Sequence, residues 1–155
     1  MTHLIVESCN GCTACARQCP THAIWGEPEQ LHGVDPGACI DCGVCGQICP
    51  VAAVLDARGE TAVCVPRDQR ARPVLTLDLC NGCGLCVEYC PFECLTVLGR
   101  RYFGVAHLSR PLACVSCGEC AAACIKGAVV MQAADLRTID PGAELRRLSE
   151  YLERS

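Results

Sequence analysis

The sequence predicts an α+β chain made of two tandem small domains with small antiparallel sheets, followed by a C-terminal helix. Three observations predict it. One cysteine pattern recurs four times, in two pairs. A polar stretch bracketed by proline divides the pairs, and the last segment spaces its leucines as a helix does.

The pattern is C-x2-C-x2-C-x3-C. It appears as Cys9, Cys12, Cys15, Cys19, then as Cys39, Cys42, Cys45, Cys49. It returns as Cys80, Cys83, Cys86, Cys90 and as Cys114, Cys117, Cys120, Cys124. Pro20, Pro50 and Pro91 follow the first three copies, and Ile125 follows the fourth. Cys19 and Cys39 lie 20 positions apart, Cys90 and Cys114 lie 24 apart, and Cys49 and Cys80 lie 31 apart. The long middle gap holds Pro66-Arg67-Asp68-Gln69-Arg70-Ala71-Arg72-Pro73, which reads as a linker. The expected division is a first domain over 1–65, a linker over 66–73, a second domain over 74–135 and a helical extension over 136–155.

Each element follows in order. Leu4-Ile5-Val6 and Val51–Leu55 flank the first pair of motifs, and Val74–Leu77 and Ala128–Met131 flank the second. These short apolar runs predict one small sheet per domain. Ala23-Ile24-Trp25 with Leu31–Val34, and Leu95–Leu98 with Phe103–Ala106, predict a hairpin between the motifs of each pair. One helical turn is expected from the third Cys of each motif to the proline after the fourth. Asp140-Pro141 supplies an N-cap and a first-turn proline, and Leu145, Leu148 and Leu152 then share one helix face.

Composition explains why cysteine must organise the fold. The chain has 155 residues, of which 18 are Cys and only six are aromatic. Non-cysteine hydrophobes amount to about 39%, thin for a packed domain, so metal or disulfide staples are required. No apolar stretch reaches the ~18 residues of a membrane span. Residues 1–9 show neither a basic region nor a long apolar core, so no export signal is read there. Eighteen thiols without export argue against disulfides and for a cytoplasmic metalloprotein. The formal net charge of −4 argues against nucleic acid as a partner.

Three thiols at x2 spacing can wrap a tight loop around one face of a cubane, while the fourth, three residues on, leaves the loop and points away. Zinc takes two C-x2-C pairs per ion, which leaves a third Cys at x2 without a use. Rieske centres need two His ligands. His3, His22, His32 and His107 complete no such pattern and are read as surface or structural.

On these residues the chain resembles the bacterial-type two-[4Fe-4S] ferredoxins, arranged in tandem as a polyferredoxin of ββαβ-type domains, over about residues 4–131. The resemblance implies four [4Fe-4S] clusters. It implies Cys9, Cys12, Cys15 and Cys49 for the first, and Cys39, Cys42, Cys45 and Cys19 for the second. It implies Cys80, Cys83, Cys86 and Cys124 for the third, and Cys114, Cys117, Cys120 and Cys90 for the fourth. A nested scheme, in which the first motif pairs with the last, is the alternative; the short 20- and 24-residue gaps favour the tandem one.

The resemblance further implies a non-catalytic electron-transfer subunit of a multi-subunit oxidoreductase, such as a tungsten-dependent aldehyde oxidoreductase. Its partners would be a catalytic subunit with a tungsten or molybdenum cofactor, and a flavin or NAD subunit or soluble carrier. Head-to-tail contact between copies is a further expectation, and no membrane partner is expected. A diffusible polyferredoxin and a redox- or oxygen-sensing regulator are the other readings. With about −2 per oxidised site, the loaded chain would carry about −12.

The remaining residues are read more plainly. Cys64 and Cys94 are expected to be buried thiols rather than ligands, with Cys94 near a cluster sulfur. Ile125 removes a fixed turn and adds a backbone N–H. Trp25 is expected to cover the first cluster pair. Arg67, Arg70, Arg72, Arg100 and Arg101 are expected to be solvated. No nucleophile–base pair, phosphate-binding loop or flavin fingerprint is present, so the chain is read as a non-enzyme.

Overall fold

The computed structural model describes residues 2–133 and 140–154. The chain divides into two compact units, residues 1–67 and 68–155.

In the first unit, β1 (Leu4–Ile5) pairs antiparallel with β4 (Val54–Leu55), placing Leu4 opposite Leu55 and Ile5 opposite Val54. Between them β2 (Ile24–Trp25) and β3 (Gly33–Val34) form the expected hairpin. Two short helices, α1 (Ala14–Gln18) and α2 (Val44–Ile48), carry the third cysteines of their motifs. Two-residue strands bury little by themselves. Ile5, Ala23, Val44, Ile48, Ala53 and Val54, with the thiol of Cys19, make up the buried apolar set, with no aromatic side chain among them.

The second unit repeats the plan with longer strands. β5 (Ala71–Leu75) pairs antiparallel with β8 (Val129–Ala133), and β6 (Leu95–Leu98) with β7 (Val105–Leu108). α3 (Leu85–Glu88) and α4 (Glu119–Ala123) take the places of α1 and α2. The core is made partly of thiols: Cys86 and Cys120 are buried with Leu95, Ala106 and Val129, and Cys80, Cys90 and Cys124 pack against them.

The C-terminal helix α5 (Pro141–Arg154) starts where Asp140-Pro141 predicts. Of the expected apolar face, Leu148 is buried, Leu152 half-buried and Leu145 exposed. The Tyr151 hydroxyl lies 3.3 Å from both Leu77 O and Asp78 Oδ1, tying the helix to the residues that lead into Cys80. The expected boundary at 135/136 lies outside the described residues. Among the described residues, no helix is long and apolar enough to cross a membrane.

Five expectations need correction. The stretch 66–73 is structured: it holds a 3-10 turn (Arg67–Gln69), and β5 begins at Ala71. The reason is Arg72, read as solvated but only 1% exposed. Its guanidinium donates to the carbonyls of Pro111, Arg70 and Ala71 (3.0–3.2 Å), which offsets burial of the charge. Arg70 is buried as well. The short helices stop before the fourth Cys; in the first unit Cys19 and Cys49 take the extended conformation favoured before Pro20 and Pro50. Trp25 is 65% exposed and lies over Gly33 across its own hairpin, where a missing Cβ makes room for the ring. Cys64 is exposed, whereas Cys94 is buried as expected.

Candidate metal centres

The motif loops share a backbone signature that the side chains conceal. Each motif places three residues in the left-handed region at the same offsets. The residue before the second Cys is Gly11, Asp41, Gly82 or Ser116. The residue after it is Thr13, Gly43, Gly84 or Gly118. The third residue past the fourth Cys is His22, Ala52, Glu93 or Gly127. Six of these twelve are not glycine, and a non-glycine residue there costs about 1–2 kcal/mol. Such residues persist only where their surroundings fix them. Alternating hands along the backbone turn successive N–H groups inward, making a concavity suited to negative charge.

The N–H groups find sulfur. The residue four past each fourth Cys donates to that thiol: Ala23 to Cys19 (3.3 Å), Ala53 to Cys49 (3.2 Å), Cys94 to Cys90 (3.3 Å) and Ala128 to Cys124 (3.3 Å). Gly11 donates to Cys9 and Ala106 to Cys80, both at 3.4 Å. The Ile125 copy keeps this geometry. Cys124 remains extended without a following proline, and Gly127 supplies the left-handed turn at φ 63°.

The thiols line four small cavities. One is lined by Cys9, Cys12, Cys15 and Cys49, and a second by Cys39, Cys42, Cys45 and Cys19. A third is lined by Cys80, Cys83, Cys86 and Cys124, and the last by Cys114, Cys117, Cys120 and Cys90. Every cavity thus combines three thiols of one motif with the last thiol of its companion in the same unit. Among the described residues, no three Cys, His, Asp or Glu side chains converge on a single ion.

This donor set fits an iron–sulfur cluster. Four soft thiols face each cavity, with backbone N–H groups already aimed at sulfur. Without the group the thiols are in a costly environment. Burial, reinforced by neighbouring thiols, pushes Cys45 and Cys120 up to about 12 and Cys86 up to about 11. Cys15 and Cys42 rise for the same first reason. A bound cation reverses that preference by deprotonating the thiol it binds.

Two residues outside the motifs join the sites in a way the sequence concealed. His3 is buried at the second cavity, its Nδ1 2.8 Å from Asp41 Oδ1 but off the hydrogen-bond axis. His32 is 2% exposed at the first cavity; its Nδ1 meets Gln30 O at 3.0 Å, and its Nε2 is buried without a partner among the described residues. Each stands one residue before a short strand, His3 before β1 and His32 before β3. Cys94 lines the fourth cavity beside Cys90 and Cys114. Its thiol donates to Phe92 O (3.6 Å), and its closeness to the Cys114 thiol raises Cys94 and lowers Cys114. His107 meets Thr96 Oγ1 across the second hairpin at 2.9 Å and lines none of the four cavities.

Comparison with known proteins accords with this geometry. Residues 8–53 and 79–128 match the family described as 4Fe-4S dicluster domain. A 56-residue stretch is 41% identical to a 7Fe ferredoxin of Hydrogenibacillus schlegelii, covering 35% of this chain and 70% of that one. A 101-residue stretch is 36% identical to the polyferredoxin protein MvhB of Methanothermobacter marburgensis, covering 57% of this chain and 21% of that one. The chain therefore spans about a fifth of that polyferredoxin's length. Among solved structures, a chain of a formate dehydrogenase–heterodisulfide reductase–formylmethanofuran dehydrogenase complex from Methanospirillum hungatei aligns with TM-score 0.43 at 17% identity. That alignment covers 94% of this chain and 56% of its counterpart. Two dicluster segments and 18 cysteines correspond to four [4Fe-4S] clusters, and the chain belongs to the 4Fe-4S dicluster domain family as an iron–sulfur electron-transfer protein.

Proposed function

We propose that the four groups of thiols are the cluster ligands in the tandem scheme, and that the chain relays electrons as a subunit of an oxidoreductase. The observation that carries the ligand assignment is the sorting of sixteen thiols into four cavities, each with three cysteines from one motif and one from its companion. When bound, a cluster supplies a one-electron redox centre. The protein's residues hold it by thiolate, direct N–H groups at its sulfurs and exclude water with Ile5, Val44, Leu95 and Val129. Donors fixed in this way change little on reduction, which keeps electron exchange fast. Nothing in these loops positions a proton or a substrate, so the redox partners perform the chemistry.

The subunit reading rests on the doubling of a dicluster unit, together with the added helix α5. On this reading a catalytic subunit, of tungsten or molybdenum aldehyde oxidoreductase type, stands at one end of the relay in the cytoplasm. A flavin or NAD subunit, a soluble carrier or another copy of the chain stands at the other. Anaerobic purification from the native cell, without a tag on this chain, tests it. Co-elution with a larger oxidoreductase subunit is expected, whereas elution as a free chain of 16.5 kDa favours the diffusible polyferredoxin. The ligand scheme is tested separately. Cys19→Ser should damage the cluster of Cys39, Cys42 and Cys45, and damage at the cluster of Cys114, Cys117 and Cys120 instead would favour nesting.

A further inference from the structure

In each unit, the turn of the inner hairpin folds back onto the first cysteine loop: Glu29 N donates to Gly11 O (3.0 Å), and Tyr102 N donates to Gly82 O (2.8 Å). The first turn reads Glu27-Pro28-Glu29-Gln30-Leu31, whereas the second presents Arg100 and Arg101 at the equivalent place. All five residues of the first turn are exposed. Glu27 and Glu29 make no ion pair among the described residues. Trp25, the chain's single tryptophan, leads into this turn and is 65% exposed, and Leu31 is 50% exposed. Gln30 O lies 4.0 Å from Cys9 Sγ, so the turn rests on the Cys9–Cys15 loop. In that loop Cys12 is exposed, whereas the other fifteen motif cysteines are buried or half-buried.

Charge singles out the first unit, and cluster loading reinforces it. Residues 1–67 hold three Lys and Arg against seven Asp and Glu, a formal −4, whereas residues 68–155 hold ten of each. Two oxidised sites at about −2 apiece bring the first unit to about −8 and the second to about −4. The unpaired carboxylates of the turn, the unit that carries them and the loaded site against which they rest therefore share one sign. The exposed Trp25 ring adds a rigid aromatic anchor of the kind that dominates protein–protein contacts, and Leu31 adds apolar area to it.

We propose that Trp25, Glu27, Glu29 and Leu31 form the docking surface for a basic one-electron carrier protein, which exchanges electrons with the cluster of Cys9, Cys12, Cys15 and Cys49 at the exposed Cys12 edge. The inference rests on the reading that those thiols hold a cluster. Charge complementarity selects the partner, and it acts locally. A lysine-rich surface is attracted by Glu27 and Glu29, and it is opposed by Arg100 and Arg101 at the equivalent turn of the second unit. The turn rests on the Cys9–Cys15 loop, so a protein seated there is close to that cluster. In the transfer, the reduced cluster loses one electron, and the carrier gains it. The site is left one charge less negative, which weakens the attraction and favours release.

The test uses the cluster-loaded full chain, reduced with dithionite and freed of excess reductant. It is mixed anaerobically with oxidised cytochrome c, a basic protein whose haem iron takes one electron. Oxidised flavodoxin, an acidic flavoprotein that takes one electron and one proton to its semiquinone, serves as the opposite probe. For the natural chain, the rate with cytochrome c should fall as salt rises from roughly 0.05 to 0.5 M. Glu27→Lys with Glu29→Lys should lower the low-salt rate about tenfold and flatten the salt dependence. Glu150→Lys with Glu153→Lys makes the same change of net charge at exposed positions of α5, and should leave the rate within about twofold of the natural one. Trp25→Ala and Leu31→Ala should each lower the rate at every salt concentration. Carbodiimide coupling of carboxylates to cytochrome c lysines should give cross-links at Glu27 or Glu29. A Glu27→Lys, Glu29→Lys chain that keeps the natural rate and salt dependence would overturn the proposal. Equal losses from the two paired variants, or cross-links confined to other carboxylates, would also overturn it, because net charge alone would then govern the encounter. So would an equal loss toward flavodoxin. Iron content separates the underlying reading: Cys12→Ala that leaves iron per chain unchanged would remove the cluster itself, whatever the glutamates do.

Discussion

Gly82 and Gly11 meet the same constraint at equivalent places. Both have positive φ (66° and 68°), and in both the returning hairpin turn presses its backbone against the missing side chain. A Cβ on Gly82 would fall 2.5 Å from Gly104 O, where no flexible group can yield. Gly82→Ala should therefore add a steric clash to the ~1–2 kcal/mol of left-handed strain. The expected outcome is loss of about a quarter of the iron per chain, together with a lower unfolding temperature. Gly59 has positive φ with open space around it, so Gly59→Ala should cost only about 1 kcal/mol and leave iron unchanged. Iron analysis and thermal denaturation of the two variants check the contrast. Cys94 poses the opposite case. It stands where the other three motifs have Ala23, Ala53 and Ala128, and all four are buried. Cys94→Ala should keep the full iron content and cost about 1 kcal/mol or less, because the backbone N–H to Cys90 survives and the lost volume is small. Loss of iron in this variant would give Cys94 a part in holding the fourth cluster.

At the scale of elements, α5 shows how pattern and packing part company. Its start was legible in Asp140-Pro141, and its apolar face in the spacing of Leu145, Leu148 and Leu152. Which leucine bears the contact was not legible, because the helix lies on a surface assembled from β5, β7 and the strand-to-motif segment. Leu148 alone is fully buried, and Tyr151 reaches Leu77 O and Asp78 Oδ1. Leu148→Ala should cost about 2–5 kcal/mol and loosen the second unit, while Leu145→Ala should cost much less. Amide exchange over β5 and β7, with β1 and β4 as internal controls, checks it; equal protection loss in both units would contradict it. The strands and hairpins were legible for a similar reason, since short apolar runs flank and separate the motifs. The start of β5 was not, because Ala71-Arg72-Pro73 reads as polar linker. The carbonyls of Arg70, Ala71 and Pro111 take hydrogen bonds from the buried Arg72 there, which its residue type does not announce. The recurring left-handed residues escaped the sequence as well. Thr13, Ala52, Glu93 and Ser116 carry no mark of their conformation in their residue type.

For the whole molecule, the core cannot be separated from the metal. In the second unit, two of the five central core residues are Cys86 and Cys120, and three further motif cysteines pack against them. In the first unit the sheets are two residues wide, and the largest fully buried side chains there are Val44 and Val54. So little apolar burial does not offset the entropy of ordering the loops, and the left-handed residues add strain. The missing free energy comes from cluster ligation, as in metal-stapled domains generally. Removing iron with chelator and oxidant should therefore abolish cooperative unfolding. The first unit should lose structure before the second, whose sheets are five and four residues long and in which α5 buries Leu148 and ties Tyr151 to Leu77 and Asp78. Circular dichroism against iron lost per chain would follow the collapse, and amide exchange would assign it to each unit. A well-dispersed NMR spectrum from the iron-free chain would contradict the prediction, because it would mean that thiols pushed up by burial still fill the four cavities stably on their own.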